Sequence, residues 1–288
     1  MTQLIDPEKF TNAVTLLRNF FTERSFIEVH TQNRLSILAA CEDPTTVATY
    51  NYAGEVWPLP QTGQMWLEYE LLKSKGYSGS GKFFCISTSY RQEPKIVEGR
   101  HDLIFPMFEF EFPGILNDLK ALETELIEWL GYYGSFPIKD YTSWCKFFDT
   151  SELTHQHEIS MSTAMITNFP NNTSPFWNMK QNGDGTAAKI DVILAGMETI
   201  GSAERSCNPE EMRDQFYTIS DGMYANLLFG HFGKERVQKE LEDFLSLDFI
   251  PRVGGGIGIT RLIRALDIYE THYSNEGKRR GDNQKEKA

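Results

Sequence analysis

Apolar residues recur at helical spacing in several segments of the 288-residue chain. They stand every three or four positions from Phe10 to Phe21, and Asp6-Pro7 just before them is a typical helix start. Leucines at similar spacing follow Asn117, which we expect to cap a second helix. Further helices are predicted over residues 63–77, from Asn208-Pro209 onward and over residues 234–247. Residues 134–186 show no pattern clear enough to order their elements.

Strand-like patterns lie between these helices. Residues 25–32 alternate in polarity, residues 82–90 form an apolar run, and two short segments around Ala53-Gly54 predict a hairpin. Residues 189–202 predict a second hairpin that turns at Ala195-Gly196, and a glycine-rich strand leads into a last helix. Because strands and helices do not alternate as β-α-β units, the pattern favours an α+β fold with a mostly antiparallel sheet.

The composition is that of a folded domain and excludes several classes of protein. Hydrophobic residues make up 40% of the chain, which rules out global disorder. The formal net charge of −12 argues against broad nucleic-acid binding, which needs clustered Lys and Arg. No apolar run is long enough to span a membrane. We expect one domain over residues 1–275 and a polar, disordered tail over residues 276–288.

The four cysteines, Cys41, Cys85, Cys145 and Cys207, lie far apart and include no CxxC pair. This spacing fits neither a zinc site nor a disulfide framework, so we expect reduced thiols. The N-terminal residues also lack the apolar core of a signal peptide. Together these features predict a cytoplasmic protein.

The stretch YRQEPKIVEGRHDLIFPMFEFEF (90–112) places a charged loop before an aromatic strand. Arg91 and Arg100 flank this loop, so a hairpin would set both guanidinium groups at one end of the sheet, where they could bind phosphate oxygens. Alternation along the return strand puts its phenylalanines on one face and Glu109 and Glu111 on the other. The alternative is a surface hairpin whose charges are solvated.

The segment IDVILAGMETIGSAER (190–205) offers a second constellation. With a two-residue turn, Ile193 lies opposite Glu198, and Asp191 lies two residues further along the same face. Two such carboxylates could hold Mg²⁺, with water and phosphate oxygens as its remaining ligands. The alternative is a solvent-facing acidic pair, but the apolar neighbours predict a buried sheet, where unpaired carboxylates are costly.

The run GGGIGITRL (254–262) forms the third constellation. Its glycines remove side chains from a strand, which suits the close approach of a flat ligand to the backbone. A Rossmann motif is excluded because the third glycine is missing, and a P-loop is excluded because no Gly-Lys-Ser/Thr follows.

Taken in this order, the three constellations resemble the catalytic domain of class II aminoacyl-tRNA synthetases. The likeness is to the aspartyl and asparaginyl subgroup and to the related asparagine synthetase A type. Residues 21–32 resemble motif 1, residues 83–111 resemble motif 2, and residues 254–262 resemble motif 3. The stretch LPQTGQMWLE (59–68) is similar to the family segment that lines the amino-acid pocket. The resemblance covers residues 7–272 and implies a class II synthetase-like, mostly antiparallel sheet flanked by helices.

The resemblance implies an ATP site at motif 2. Arg91 would hold the α-phosphate, and Glu93 would contact the adenine side or order the loop. Arg100 and His101 would reach the β- and γ-phosphates. Phe105 would stack under the adenine.

It also implies roles for residues outside motif 2. Arg261 would cover the other face of the adenine and the γ-phosphate, and Gly258 would lie against the nucleotide. Asp191 and Glu198 would bind Mg²⁺, with Glu198 also contacting ATP. The implied reaction is attack of a substrate carboxylate on the α-phosphorus of ATP, catalysed mainly by Arg91 and Arg261.

The amino-acid pocket resembles the asparaginyl version. Gln64 and Glu68 would face the substrate together with Ser202, and Leu67 stands where an aspartyl enzyme has a lysine. Motif 1 implies a homodimer, although Gln32 stands where the family usually has a proline.

The acyl acceptor is open at this point. Motif 1 follows the first helix directly, so we expect a stand-alone catalytic domain without the anticodon-binding barrel. With the net charge of −12, this favours ammonia or a small amine over tRNA. The alternatives are an asparaginyl or aspartyl enzyme that acts on tRNA and a non-catalytic paralogue that binds an amino acid or adenylate.

Overall fold

The computed structural model describes residues 4–31, 34–37, 44–74, 81–92, 102–171, 173 and 176–271. Their strands are β1 (Ile27–Glu28), β2 (Thr49–Tyr52), β3 (Glu55–Pro58), β4 (Phe83–Tyr90), β5 (Ile104–Pro113), β6 (Ile138–Asp140), β7 (Ala164–Pro170), β8 (Thr186–Leu194), β9 (Met197–Glu204) and β10 (Arg252–Gly258). Their helices are α1 (Pro7–Glu23), α2 (Gln64–Lys73), α3 (Leu116–Trp129), α4 (Tyr141–Phe148), α5 (His155–Met161), α6 (Pro209–Thr218), α7 (Met223–Phe232), α8 (Lys234–Leu245) and α9 (259–271). None of these helices combines the length and apolar character needed to cross a membrane.

Eight of the strands form one sheet in the order β1-β4-β5-β10-β9-β8-β7-β6. The outer pairs β1–β4 and β6–β7 are parallel, and the neighbours between them are antiparallel. Strands β2 and β3 form the separate hairpin that the sequence predicts around Ala53-Gly54. The α+β fold with a mostly antiparallel sheet is therefore confirmed.

Helices cover both faces of the sheet. On one face, α1, α3 and α9 bury their apolar residues against the phenylalanines of β5. On the other face, α2 packs with α6, α7 and α8 in a second core. Alternation along β5 points Glu109 and Glu111 away from the phenylalanines, as predicted, but both glutamates are buried. The alternative of a hairpin with solvated charges is therefore wrong for these two side chains.

The helix ends agree with the sequence where a capping side chain is close. The Asp6 carboxylate accepts from the Glu8 and Lys9 amides at 2.9 and 3.2 Å at the start of α1. The expected cap at Asn117 is wrong, because α3 already begins at Leu116. There the Asp118 carboxylate accepts from the Ile115 amide at 2.9 Å, so the N-cap is Ile115, two residues before Asn117.

The hairpin of β8 and β9 carries one irregularity that shapes the site. Its turn is at Ala195 and Gly196, with φ of 48° and 76°, and Ile193 pairs with Glu198 as predicted. The register then shifts between Val192 and Ile193, so that Thr199 is an extra residue on β9. After this bulge, each β9 side chain points to the sheet face opposite to the one it would occupy in a regular strand.

Candidate active site

A cavity of about 340 Å³ opens on the sheet face that carries Glu109. Strands β5, β8, β9 and β10 form its floor, and the starts of α2 and α9 form part of its wall. Residues Gln64, Arg91, Phe105, Glu198, Ser202, Gly258 and Arg261, all predicted site residues, line it. Glu93, Arg100 and His101 lie outside the described residues, as do Gln32 and the tail over 276–288.

Two arginines stand on the outer part of the cavity. The Arg91 guanidinium lies 5.7 Å from the centre of the Phe105 ring, which places a cation beside an aromatic face. Arg261, which also lines the cavity, donates from Nη1 to the Glu198 carbonyl at 2.9 Å, and the same nitrogen is 3.8 Å from Glu198 Oε2. A planar ring with an attached anion would find stacking partners and positive charge at this end.

Glycines of β10 form part of the cavity floor. Gly256 faces the cavity between Glu109 on β5 and Gly201 on β9. A Cβ on Gly256 would lie 2.7 Å from the terminal methyl of Met107, so the end of that side chain would have to move. The glycine strand therefore keeps the centre of the cavity open, as its sequence predicts.

The two predicted metal-binding acids lie over one glycine of the cavity floor; Glu198 lines the cavity itself, and Asp191 does not. Asp191 Oδ1 and Glu198 Oε1 lie 3.7 and 3.3 Å from the position of a Cβ on Gly201, so both carboxylates reach over the same glycine. Asp191 is buried, and its Oδ1 has no hydrogen-bond partner among the described residues. Oxygen donors of this kind suit Mg²⁺, and an unpartnered carboxylate oxygen beside a second acid fits a divalent cation there.

The charge of Asp191 is set by its surroundings. Burial raises the pKa of its carboxyl, the Lys189 ammonium lowers it, and the negative charge of Glu198 raises it again. Lys189 Nζ lies 3.0 Å from Asp191 Oδ2. In the described residues no group of three or more His, Cys, Asp or Glu side chains could hold a metal, so the other ligands of a cation at this pair would be water or substrate oxygens.

Polar groups of α2 and β5 form the inner end of the cavity. Glu109 accepts from the Gly63 amide at 2.8 Å and from the hydroxyls of Thr62 and Ser87. Burial raises the pKa of the Glu109 carboxyl, and these three hydrogen bonds oppose the rise. The Gln64 side chain donates to the Glu111 carboxylate on the same strand, β5, as Glu109. The inner end is thus a preorganised hydrogen-bonded wall.

A family model described as tRNA synthetases class II (D, K and N) matches residues 8–270. The chain belongs to this family. This membership confirms the resemblance, and the class II fold is that of the catalytic domain of aspartyl- and asparaginyl-tRNA synthetases.

Solved structures share this class II fold at low sequence identity. Asparaginyl-tRNA synthetase from Pyrococcus horikoshii, complexed with asparaginyl-adenylate, matches with a TM-score of 0.71 at 16% identity, over 90% of this chain and 64% of its own. Asparaginyl-tRNA synthetase from Entamoeba histolytica, in complex with asparaginyl-adenylate, matches with a TM-score of 0.66 at 18% identity, over 90% of this chain and 63% of its own. Aspartyl-tRNA synthetase from the same organism matches with a TM-score of 0.65 at 17% identity, over 91% of this chain and 55% of its own.

The chain therefore spans less than two thirds of the length of these neighbours. No curated protein sequence matches it.

Glu68 does not lie where the class II resemblance places it. The structure buries it completely below the cavity, where Arg252 donates to its Oε2 from Nε at 2.9 Å and from Nη2 at 2.7 Å. The Asn178 amide donates to its Oε1 at 2.8 Å. In place of the expected substrate contact, Glu68 forms a buried ion pair that supports the cavity from behind.

Ser202 reaches the cavity with its backbone, while its hydroxyl donates to the Ile190 carbonyl at 3.2 Å. It pairs with Gly255, which faces Phe110 and hence the core of α1, α3 and α9. The β9 bulge causes this orientation and turns Ala203 and Arg205 toward the cavity instead. Arg205, which the sequence did not single out, lines the inner end with Nη2 3.4 Å from Glu111 Oε2.

Behind Ser202, α3 carries a glutamate whose pKa is affected by the Ser202 side chain and by the charge of Asp191. Glu123 is fully buried, and neither of its carboxylate oxygens has a partner at hydrogen-bond geometry within the described residues. Burial raises the pKa of its carboxyl from 4.5 to about 8. The folded protein thus binds this proton more tightly than the unfolded chain does. The contribution of Glu123 to stability is therefore fully present below its unfolded pKa of 4.5 and is lost as the pH rises toward 8.

Glu123→Gln is expected to remove this pH dependence. Between pH 5 and pH 8 the wild-type free energy of unfolding should fall by about 3 kcal/mol more than that of the variant. Urea unfolding at the two pH values measures the difference. Glu125→Gln is the control, since Glu125 lies on the same helix but is exposed and paired with Arg24. Parallel pH profiles for wild type and Glu123→Gln would show that the buried carboxyl does not titrate in this range.

Proposed function

We propose that the protein is an ATP- and Mg²⁺-dependent ligase that activates an aspartate- or asparagine-like amino acid as its acyl-adenylate. It then transfers the acyl group to a non-tRNA acceptor such as ammonia or a small amine. The observation that carries the proposal is the convergence of Arg91, Phe105 and Arg261 with the acids Asp191 and Glu198 around one glycine-floored cavity.

The residues of the cavity suit a reaction without an enzyme nucleophile. One oxygen of the substrate carboxylate bonds to the α-phosphorus of ATP, the bond to the bridging oxygen breaks, and pyrophosphate leaves with the electron pair. Arg91 would balance negative charge on the α-phosphate, and Arg261 on the far side would hold the departing phosphates. Catalysis of this kind depends on positioning and on charge stabilisation, which two fixed guanidinium groups supply.

Asp191 and Glu198 are the residues that would hold Mg²⁺. When bound, the ion would supply further neutralisation of phosphate charge. Phe105, beside Arg91, would bind the adenine ring by stacking. We also propose that the protein is a cytoplasmic homodimer.

Two observations bear on the acceptor. The net charge of −12 opposes the binding of a polyanion such as tRNA, which supports ammonia or an amine. Membership of a family of tRNA synthetases supports the alternative, in which the same adenylate is transferred to tRNA. Both alternatives share the first half-reaction and differ only in the nucleophile that attacks the acyl carbon.

Exchange of labelled pyrophosphate into ATP tests the first half-reaction. We expect exchange that depends on Mg²⁺ and on one amino acid from a screen of the standard twenty. Failure of every amino acid to support exchange would contradict adenylate formation and favour a protein that only binds. In a second reaction, ammonium should convert the amino acid to its amide with release of AMP. Charging of bulk tRNA without amide formation would establish the tRNA alternative.

A further inference from the structure

Lys189 stands at a defined place in the cavity floor. It faces the cavity from β8, with Ala203 beside it on β9, Gly254 next on β10 and Glu111 last on β5. Three inter-strand steps separate the backbones of Lys189 and Glu111, which corresponds to about 14 Å. A methyl group and a glycine lie between them, and the Glu111 carboxylate extends over that glycine.

The immediate contacts of the Lys189 ammonium orient it. It lies 3.0 Å from Asp191 Oδ2 and stands over the rings of Phe169 and Phe176, at 4.3 and 5.7 Å from their centres. The side chain is largely buried and yet lines the cavity. Aromatic rings on one side and a carboxylate on the other leave the ammonium few orientations, which is the condition for a specific contact.

If Asp191 also binds a cation, its negative charge is shared between that cation and the Lys189 ammonium. Its position beside Glu198 over Gly201 makes it one of the two acids suited to Mg²⁺. A divalent ion would draw the Asp191 charge away from the ammonium. A ligand carboxylate could then take the place of Asp191 beside the ammonium, since a neighbouring anion lowers the cost of burying a positive charge. The cavity is the side from which a ligand could supply that anion.

The inner end of the cavity lacks the contact that the resemblance assigns to a substrate amide. The carboxylate expected to accept from an amide, that of Glu68, is occupied by Arg252 and Asn178. The cations that line this end are Lys189 and Arg205, and both are hydrogen-bond donors without acceptor capacity. Two donors that carry positive charge suit a carboxylate and disfavour an NH₂ group.

We propose that Lys189 binds the side-chain carboxylate of the amino-acid substrate, so that the site selects an acidic side chain such as that of aspartate over the corresponding amide. This inference rests on the proposed function. It adds the charge of the substrate side chain and the residue that binds that side chain.

Pyrophosphate exchange with aspartate and with asparagine tests this role. Wild-type protein should favour aspartate in kcat/KM on the order of 100-fold, because a charge-matched hydrogen bond is lost with the amide. Lys189→Met should raise the KM for aspartate more than about 10-fold, leave the KM for ATP nearly unchanged and bring the preference close to unity. Lys189→Arg, which keeps the cation, should retain the preference for aspartate.

Lys180→Met is the matched control. Lys180 forms an ion pair with Glu204 at 2.7 Å and does not line the cavity, so its loss should leave the preference unchanged. If Lys189→Met does not fold, Lys189→Gln gives the same comparison with a neutral donor. Circular dichroism of each variant reports folding.

Calorimetric titration of both amino acids separates failure of this inference from failure of the proposed function. Tighter binding of aspartate than of asparagine, lost in Lys189→Met, supports the inference even in a protein that shows no exchange. A wild-type preference for asparagine overturns it and leaves adenylate formation intact. A Lys189→Met variant that loses affinity for ATP rather than for aspartate also overturns it, because the ammonium would then contact the nucleotide.

Discussion

Arg261→Ala is expected to slow amino-acid-dependent pyrophosphate exchange on the order of 1,000-fold. The guanidinium group lines the same cavity as Arg91 and donates to the Glu198 carbonyl. Its loss would remove one of the two fixed positive charges that face the reacting phosphates. Because the side chain is partly exposed, the free energy of unfolding should change by no more than about 1 kcal/mol. Steady-state exchange kinetics and urea unfolding measure the two effects.

Arg264→Ala is the matched control on the same helix. Arg264 donates to the Ala195 carbonyl at 3.2 Å and does not line the cavity. Exchange by this variant should stay within a few-fold of wild type. If Arg261→Ala catalyses exchange as fast as Arg264→Ala does, Arg261 has no role in the reaction.

Arg252→Met is expected to lower the free energy of unfolding by about 3–5 kcal/mol. Arg252 and Glu68 are both fully buried, and the guanidinium donates two hydrogen bonds to one carboxylate oxygen. Removal of the arginine leaves Glu68 with its nearest remaining cation, Arg205 Nε, at 3.8 Å. Urea unfolding at neutral pH measures the loss.

The double variant Glu68→Met/Arg252→Met should recover most of that loss, since it leaves no buried carboxylate without its partner. Arg213→Met is the surface control, because the pair of Arg213 with Glu242 at 2.6 Å is largely exposed. Its cost should stay below about 1 kcal/mol. Equal costs for Arg252→Met and Arg213→Met would mean that Glu68 has water or another partner in solution.

The sequence predicts those parts of the fold that local chemistry determines. The start of α1 follows from Asp6-Pro7, and the β8–β9 turn follows from its two residues of positive φ. The register next to that turn is also correct, since Ile193 pairs with Glu198. These features depend on a few neighbouring residues, and the sequence displays them directly.

The bulge at Thr199 is the feature that local chemistry does not reveal. A regular ladder would point Glu198, Ile200 and Ser202 to one face, which makes Ser202 a natural site residue. One extra residue reverses this order, so Ser202 contacts the core and Arg205 lines the cavity. The acid pair is still found because Glu198 precedes the bulge.

The burial of Glu68 depends on a contact that is distant in sequence. Its partner Arg252 is 184 residues further along the chain. Nothing in α2 alone shows that its glutamate faces a buried guanidinium rather than a substrate. The elements of residues 134–186 were missed for another reason. Their helices α4 and α5 are only 8 and 7 residues long, too short for a helical period to stand out.

The junction of β10 and α9 leaves no connecting loop. The strand ends at Gly258, the helix begins at residue 259, and Arg261 falls within the first turn. Helical phase therefore decides where this guanidinium points. One inserted residue before Arg261 would rotate the side chain by about 100° around the helix axis. The length of this junction is thus as strict a requirement of the site as the arginine itself.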